Sequence, residues 1–424
     1  MEGLRNSSHK GLRWLEQYTK TDMVYLAKGG FWTIFAQIIV STSTFLLAIA
    51  FAHYISKETY GQYKYILSLA VILSTFTLTG FGAAVLRSIN RGYEGTLQYA
   101  FWKNIKWSFL SFILTLGLSI YYFTHGNGTL GTAILVVGAF SPFFSSTNLY
   151  NSYLMAKKDF KRSAIYYNII GNLFPSFCIF IAILLTNKPV WLVIVYFFSN
   201  TLIGIILYLR VIKIYKPNNK IDTESINYTK HLSFLNIIGT IADNIDQVLV
   251  FHYIGAVELA IYNFAIAIPS QIKGPMKGLS GLIFPKFVER SEKEISHGMR
   301  NKIIVLFFSA VVIIGTYIIA APYIFHLFFP KYTSSIIYSQ IFSLSLLSII
   351  AIPADTYFMA KEKVKEQYIA IIGGFLIQIS ILSVGVMWGG LIGLIVARTI
   401  IKILWGFQSI ILYKWSSKKM ISSP

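Results

Sequence analysis

Two decapeptides half a chain apart read almost alike: SYLMAKKDFK at Ser152–Lys161 and TYFMAKEKVK at Thr356–Lys365. Tyr153, Met155, Ala156, Lys157 and Lys161 return as Tyr357, Met359, Ala360, Lys361 and Lys365, each 204 residues later. A second echo runs from HYISKETYGQY (53–63) to HYIGAVELAIY (252–262), at an offset of 199 residues. Two matches at nearly one offset predict a duplicated unit. The segments between them decide what that unit is.

Of the 424 residues, 55% are apolar, 16% aromatic and only 13% charged. Soluble domains carry roughly 25% charged residues, so a water-soluble fold is excluded. A net charge of +20 would suit nucleic acid. The cations, however, fall in short loops between apolar runs, which points to a membrane instead. A single cysteine, Cys178, excludes an internal disulfide framework.

A helix needs about 20 mainly apolar residues to cross a bilayer core of about 30 Å. Twelve stretches qualify: about 24–52, 60–88, 99–123, 129–155, 163–186, 189–212, 231–254, 258–285, 302–329, 333–359, 366–387 and 389–413. Pro142, Pro175, Pro269, Pro275 and Pro353 lie inside them, where a missing backbone donor kinks a helix. Lys and Arg total 29 in the N-terminal segment, every second loop and the C-terminal tail. The alternate loops hold four: Lys57, Lys64, Lys188 and Lys331. By the positive-inside rule both termini are cytoplasmic.

The Met-Ala-Lys turns follow spans four and ten, and the His-Tyr-Ile segments follow spans one and seven. Six helices separate each pair, and six is even, so the halves run parallel about an axis along the membrane normal. The expected fold is an all-α polytopic membrane protein of about twelve transmembrane helices in two six-helix lobes. Residues 1–214 form the N-lobe, 215–230 a polar cytoplasmic linker (YKPNNKIDTESINYTK), and 231–424 the C-lobe. Two parallel lobes are the usual build of an alternating-access transporter.

GGFWTIFAQII (29–39), YGQYKYILSLAVILSTFTLTGFGAAVLRSI (60–89) and DNIDQVLVFHYIGAVELAIYNFAIAI (243–268) carry a family resemblance. The chain resembles the polysaccharide-unit (Wzx-type) flippases of the multidrug/oligosaccharidyl-lipid/polysaccharide exporter superfamily over its full length. No one motif is diagnostic; topology and segment position together make the case. The resemblance implies a V-shaped cavity between lobes, lined mainly by spans one, two, seven and eight. It implies transfer of an undecaprenyl-diphosphate-linked oligosaccharide across a bacterial cytoplasmic membrane, for O-antigen, capsule or exopolysaccharide synthesis. A polysaccharide polymerase and a chain-length regulator are the implied protein partners.

Charges inside the spans argue separately for a polar cargo. A charged side chain at the bilayer centre costs about 2.5–3.5 kcal/mol even on insertion scales, so such groups face water or partners. Lys273 and Lys277 are four apart on span eight, and Arg398 and Lys402 four apart on span twelve, so each pair shares a helix face. Asp243 and Asp246 lie three apart on span seven. In one reading the aspartates neutralise the span-eight lysines. In the other the lysines face the cavity and contact diphosphate or acidic sugars, while the aspartates tune them or couple to Na+ or H+. Arg398 and Lys402 face the cavity or snorkel to the cytoplasm. Arg87 anchors span two or meets diphosphate at the cavity mouth. Asp355 is a coupling-ion ligand or an end-of-helix polar group. Gln37 bonds sugar hydroxyls or a neighbouring helix.

Seven scattered histidines show no metal-ligand spacing, and no Walker A loop or nucleophile elbow occurs. The expectation is a transporter without catalytic residues or a resident cofactor. Three other classes compete. An exporter of small organic cations would favour an acidic cavity. A membrane polymerase of the same pathway would usually carry a large outer loop. A non-transporting structural protein would leave the intramembrane charges unexplained.

Overall fold

The computed structural model describes residues 23–77, 79–289, 292–361 and 364–421. Within them, the side chains of 23–31, 33, 224–232, 234–235, 275–286, 288–289, 292–293, 297, 359, 364–372 and 417–421 lie outside the described set. Helix fills the apolar stretches, and no strand occurs among the described residues. Span one is Met23–Tyr54. Span two is split into Lys57–Ser74 and Phe81–Asn90. Span three is Thr96–Thr124, and span four is Gly128–Thr147 with Leu149–Ala156. Span five runs from Phe160 to Leu185 through a π-helical turn at Ala164–Ile170. Span six is Pro189–Tyr215, span seven Thr223–Tyr253, span eight Ala256–Glu289 and span nine Glu292–Phe328. Span ten comprises Ser335–Ser343, a 3-10 stretch Leu344–Ala351 and Ile352–Ala360; spans eleven and twelve share Val364–Ile421, broken where Gly390 has φ 54°.

Local chemistry sets the ends. The Ser56 side chain accepts from the Thr59 amide, and Asn127 accepts from Leu130, so each caps the helix that follows. Pro189 sits in the first turn of span six, where its missing N–H costs nothing. The break in span two falls in the segment 75–80, where Thr75 and Thr77 bond backward to the backbone carbonyls of Ile72 and Ser74. Not every proline interrupts its helix: Pro269 and Pro275 lie within the continuous helix Ala256–Glu289.

Among the described residues, eight helical stretches are long and apolar enough to cross a membrane. The chain is a multi-pass, all-helical membrane protein. Spans two, seven and eight are not among those eight. They carry Lys64, Asp243, Asp246 and Lys273, and they pack on one another rather than presenting a wholly apolar surface. The main apolar cluster joins them, uniting Phe51, Tyr60 and Ile66 of the first half with Val250, Leu259 and Phe264 of the second.

The sequence echo is also an echo of packing. At the first Met-Ala-Lys turn, the Lys157 amide donates to the Tyr153 carbonyl at 3.0 Å; at the second, Lys361 donates to Tyr357 at 2.9 Å. Both tyrosines are fully buried. Tyr153 meets Tyr215 edge-on at 5.5 Å, and Tyr357 meets Tyr413 edge-on at 4.9 Å, each partner near the end of span six or twelve. Each tyrosine anchors a separate small core at the lysine-rich end of the molecule.

Candidate functional site

A cavity of about 660 Å³ lies between the two halves, walled by spans one, two, five, six and eight and the end of span nine. Its polar lining is mainly amide and hydroxyl: Asn172, Asn200, Asn263, Gln271, Ser176 and Ser270. Tyr60, Tyr63, Tyr196 and Phe264 supply aromatic faces. Lys64 is the single charged residue among the described lining residues, and no carboxylate joins it there. It stands one turn beyond Tyr60, and its ammonium lies 5.5 Å from that ring's centroid.

The lysine-poor end of the cavity is plugged. Tyr60 meets Phe264 at 5.0 Å, Phe264 meets Tyr332 at 3.9 Å, and Phe45 meets Phe329 at 5.8 Å. The Lys331 ammonium donates to the His53 carbonyl at 2.6 Å across this seam. A Cβ placed on Gly61 would fall 1.7 Å from the Ala256 carbonyl oxygen, so the two halves touch backbone to backbone at this point.

The intramembrane charges assemble elsewhere, within the second half. Arg398 bridges Asp246 at 3.3 Å and Asp243 at 3.8 Å, and donates to the carbonyls of Ala242 and Asp243. Lys402 bridges Asp243 at 3.0 Å. Tyr262 donates to Asp246, and Gln378 to the Ala242 carbonyl. Among the described residues, the aspartates therefore pair with the cations of span twelve. Helical spacing fixes which residues share a face but not which helix lies opposite, and here span twelve packs on span seven.

Lys273 donates to Ser348 at 2.5 Å and lies within electrostatic reach of Asp355, which also bonds Ser409. The Lys277 side chain is outside the described residues. Arg87 is exposed on Phe81–Asn90, and Gln37 is exposed and bonded to Ser41 of its own helix. None of Gln37, Arg87, Asp243, Asp246, Lys273, Asp355, Arg398 or Lys402 lines the cavity in this conformation. The cation that does, Lys64, falls at the outward margin of the second apolar stretch by hydropathy alone. Capping at Ser56 starts the helix at Lys57 and so carries Lys64 two turns inside span two. The spacing of Tyr60, Tyr63 and Lys64 is the signal in the sequence, since it places them on adjoining positions of one face.

At the lysine-rich end two carboxylates tie loops together outside the apolar runs. Glu94 accepts from Lys157 and from Tyr153 (3.1 Å). Asp159 accepts from Tyr215 at 2.5 Å and from Arg162. Burial alone would raise both carboxyls. The hydrogen bonds from Lys157 and Tyr153 to one, and from Tyr215 and Arg162 to the other, outweigh it and hold both below their ordinary values.

A family profile described as "Polysaccharide biosynthesis protein" matches residues 26–290, more than half of the chain. A search of curated protein sequences returns no match. Among solved structures, an inward-facing multidrug resistance MATE transporter of the MOP superfamily superposes with a TM-score of 0.65 at 13% identity, covering 91% of this chain and 96% of that one. The lipid II flippase MurJ in an inward closed conformation gives 0.65 at 16% identity, covering 92% and 87%. A MOP-superfamily transporter from Pyrococcus furiosus gives 0.57 at 14% identity, covering 93% and 97%. These likenesses establish the fold, and the profile establishes the family: the chain belongs to the polysaccharide biosynthesis protein family and has the fold of a MOP-superfamily membrane transporter.

Proposed function

We propose that the protein is a flippase that carries a lipid-linked oligosaccharide across the bacterial cytoplasmic membrane by alternating access. The observation that carries this reading is a shared wall. An apolar groove of about 790 Å³ runs between spans one and five, and Leu47 and Ser176 line both it and the polar cavity. A saccharide head in the cavity and an isoprenoid tail in the groove would each meet matching chemistry. The tail stays in contact with hydrocarbon throughout, which matters because moving it into water costs about 0.8 kcal/mol per CH₂.

The lining supports the same cargo. Amide side chains bond sugar hydroxyls, aromatic faces stack on sugar rings, and Lys64 offers one cation to a diphosphate. An exporter of organic cations fits less well, because the one charge among the described lining residues is positive. In this scheme the cargo is an undecaprenyl diphosphate-linked repeat unit. The chain works as two six-helix lobes with both termini cytoplasmic, and hands its product to a polymerase and a chain-length regulator. The aspartates of span seven and Asp355 are the groups through which Na+ or H+ would couple. Lys273, Lys277, Arg87 and Gln37 would reach cargo only once the lobes move.

Proteoliposomes carrying a fluorescent lipid-linked oligosaccharide test the proposal. Protein-dependent loss of the label's accessibility to an impermeant reagent is the expected result. Failure to move it, in vesicles where the protein does move a small organic cation, would replace this reading with the exporter.

A further inference from the structure

A second groove, sharing no lining residue with the transport cavity, lies on the lysine-rich end of span three. It encloses about 590 Å³ between the first three turns of Thr96–Thr124 and the linker that follows span six. Gln98, Tyr99, Trp102, Lys103, Lys106 and Trp107 form one wall, and Asn219 and Ile221 the other.

This wall is built rather than incidental. Asn218 donates to the Gly92 carbonyl at 3.0 Å and accepts from the Glu94 amide at 3.1 Å. The Asp222 amide donates to the Thr96 hydroxyl at 3.0 Å, and the Asp222 carboxylate accepts from Ser88 and bridges Arg91. A Cβ on Gly95 would fall 2.7 Å from the Asn219 carbonyl carbon, so only glycine lets the linker lie this close. The linker is therefore fastened to the first half of the chain at one end of the groove.

The chemistry of the groove is cationic and aromatic. Lys103 lies 5.2 Å from the Tyr99 ring centroid and 3.3 Å from its hydroxyl. Among the described residues no carboxylate lines the groove. The nearest ones in sequence, Glu94 and Asp222, are taken by Lys157 and Tyr153 and by Arg91 and Ser88. Trp102 is 62% exposed and Trp107 42%. Exposed tryptophans with lysines at a helix end mark headgroup depth. Directly beyond them the same helix exposes Phe109, Leu110 and Ile113, a surface for acyl chains.

We propose that this groove is a binding site for an anionic phospholipid. Its phosphate sits between Lys103 and Lys106, the indoles of Trp102 and Trp107 flank the glycerol region, and Asn219 and Ile221 close the site from the linker side. Its acyl chains lie along Phe109 and Ile113. The bilayer is the source of the ligand because the groove opens at the level where headgroups already are, and basic pockets at this level select anionic ones. Because one wall is the linker between halves, occupancy would brace the linker against span three.

Native mass spectrometry of the whole protein, equilibrated with equimolar phosphatidylglycerol and phosphatidylcholine, reads the site directly. Wild-type protein retains phosphatidylglycerol in preference. Lys103→Gln with Lys106→Gln lowers that preference about thirtyfold, roughly fivefold for each lysine. Lys103→Arg with Lys106→Arg keeps it, which shows that the fold survives substitution here. Lys188→Gln with Lys213→Gln, equal in charge change but outside the groove, also keeps it. The proposal is overturned if wild-type protein shows no preference, if the groove double variant retains phosphatidylglycerol in full, or if the control double variant loses as much.

Discussion

Arg398 and Asp246 meet at 3.3 Å with side-chain exposures of 7% and 1%, an ion pair sealed between spans twelve and seven. Removing one partner of such a pair leaves a buried charge, which costs about 3–5 kcal/mol. Arg398→Ala should therefore sharply lower the melting temperature in detergent. Joint replacement by apolar residues, Arg398→Met with Asp246→Leu, should restore most of it, because desolvation and attraction leave together. Asp243 is 59% exposed, so Asp243→Asn should cost no more than about 1 kcal/mol. A double variant no more stable than Arg398→Ala would show that the pair is not the unit.

Lys64 is the one charge among the described residues of the cavity lining, and it offers a diphosphate-bearing cargo a fixed partner there. Hydrogen bonds to charged groups contribute about 1.5–3 kcal/mol. Lys64→Gln should then reduce transport of a lipid-linked saccharide by roughly ten- to a hundredfold, and Lys64→Arg should keep much of it. Melting temperature should hardly move for either. Equal transport by Lys64→Gln, at matched protein levels in the vesicles, would remove Lys64 from cargo recognition.

The parts of this molecule legible in sequence are those that one helix, or one repeat, determines. The two Met-Ala-Lys turns announce matched local packing, and Tyr153 and Tyr357 each meet a second tyrosine edge-on. Apolar length announces membrane helices, because burial in lipid is a property of a whole stretch. The charge partners are not legible. Asp243 and Asp246 share a face by spacing, but their partner Arg398 lies on span twelve, 155 residues beyond Asp243, where only tertiary packing brings it. Lys64 is hidden for a different reason. Its neighbours are tyrosines rather than apolar residues, so a hydropathy boundary drawn near Tyr60 leaves it at the edge, while the Ser56 cap draws the helix past it.

Gly61 and Ala256 touch backbone to backbone beside the plug, and a side chain at position 61 cannot fit against the Ala256 carbonyl. Gly61→Leu should hold the lysine-poor end apart. In a Cys178→Ser background, Asn263→Cys reports this, since residue 263 lines the cavity. Added to intact cells, an impermeant thiol reagent should label that position slowly with Gly61 present and several-fold faster in the Gly61→Leu variant. Transport should fall, because a gate that cannot close on one side cannot alternate. Unchanged labelling would mean that the halves separate elsewhere.

Glu94 and Asp159 fasten the lysine-rich loops, and both carboxyls lie below their ordinary values in the folded protein. A carboxyl in that state binds its proton less readily when folded than when unfolded. Its stabilisation is complete above the ordinary range, about 3.9–4.3, and is lost as pH falls through the lower folded value. Acidification below about 4 should therefore loosen the turn from Tyr153 to Arg162, visible as faster amide hydrogen exchange there after correction for the intrinsic rate. Glu94→Gln and Asp159→Asn should raise exchange already at neutral pH and flatten its dependence below about 4, each costing about 0.2–1 kcal/mol as partly exposed pairs do. If the first turn keeps full protection at about pH 3 in the wild-type protein, well into the range where the carboxyls take up protons, the two carboxylates are not what holds it.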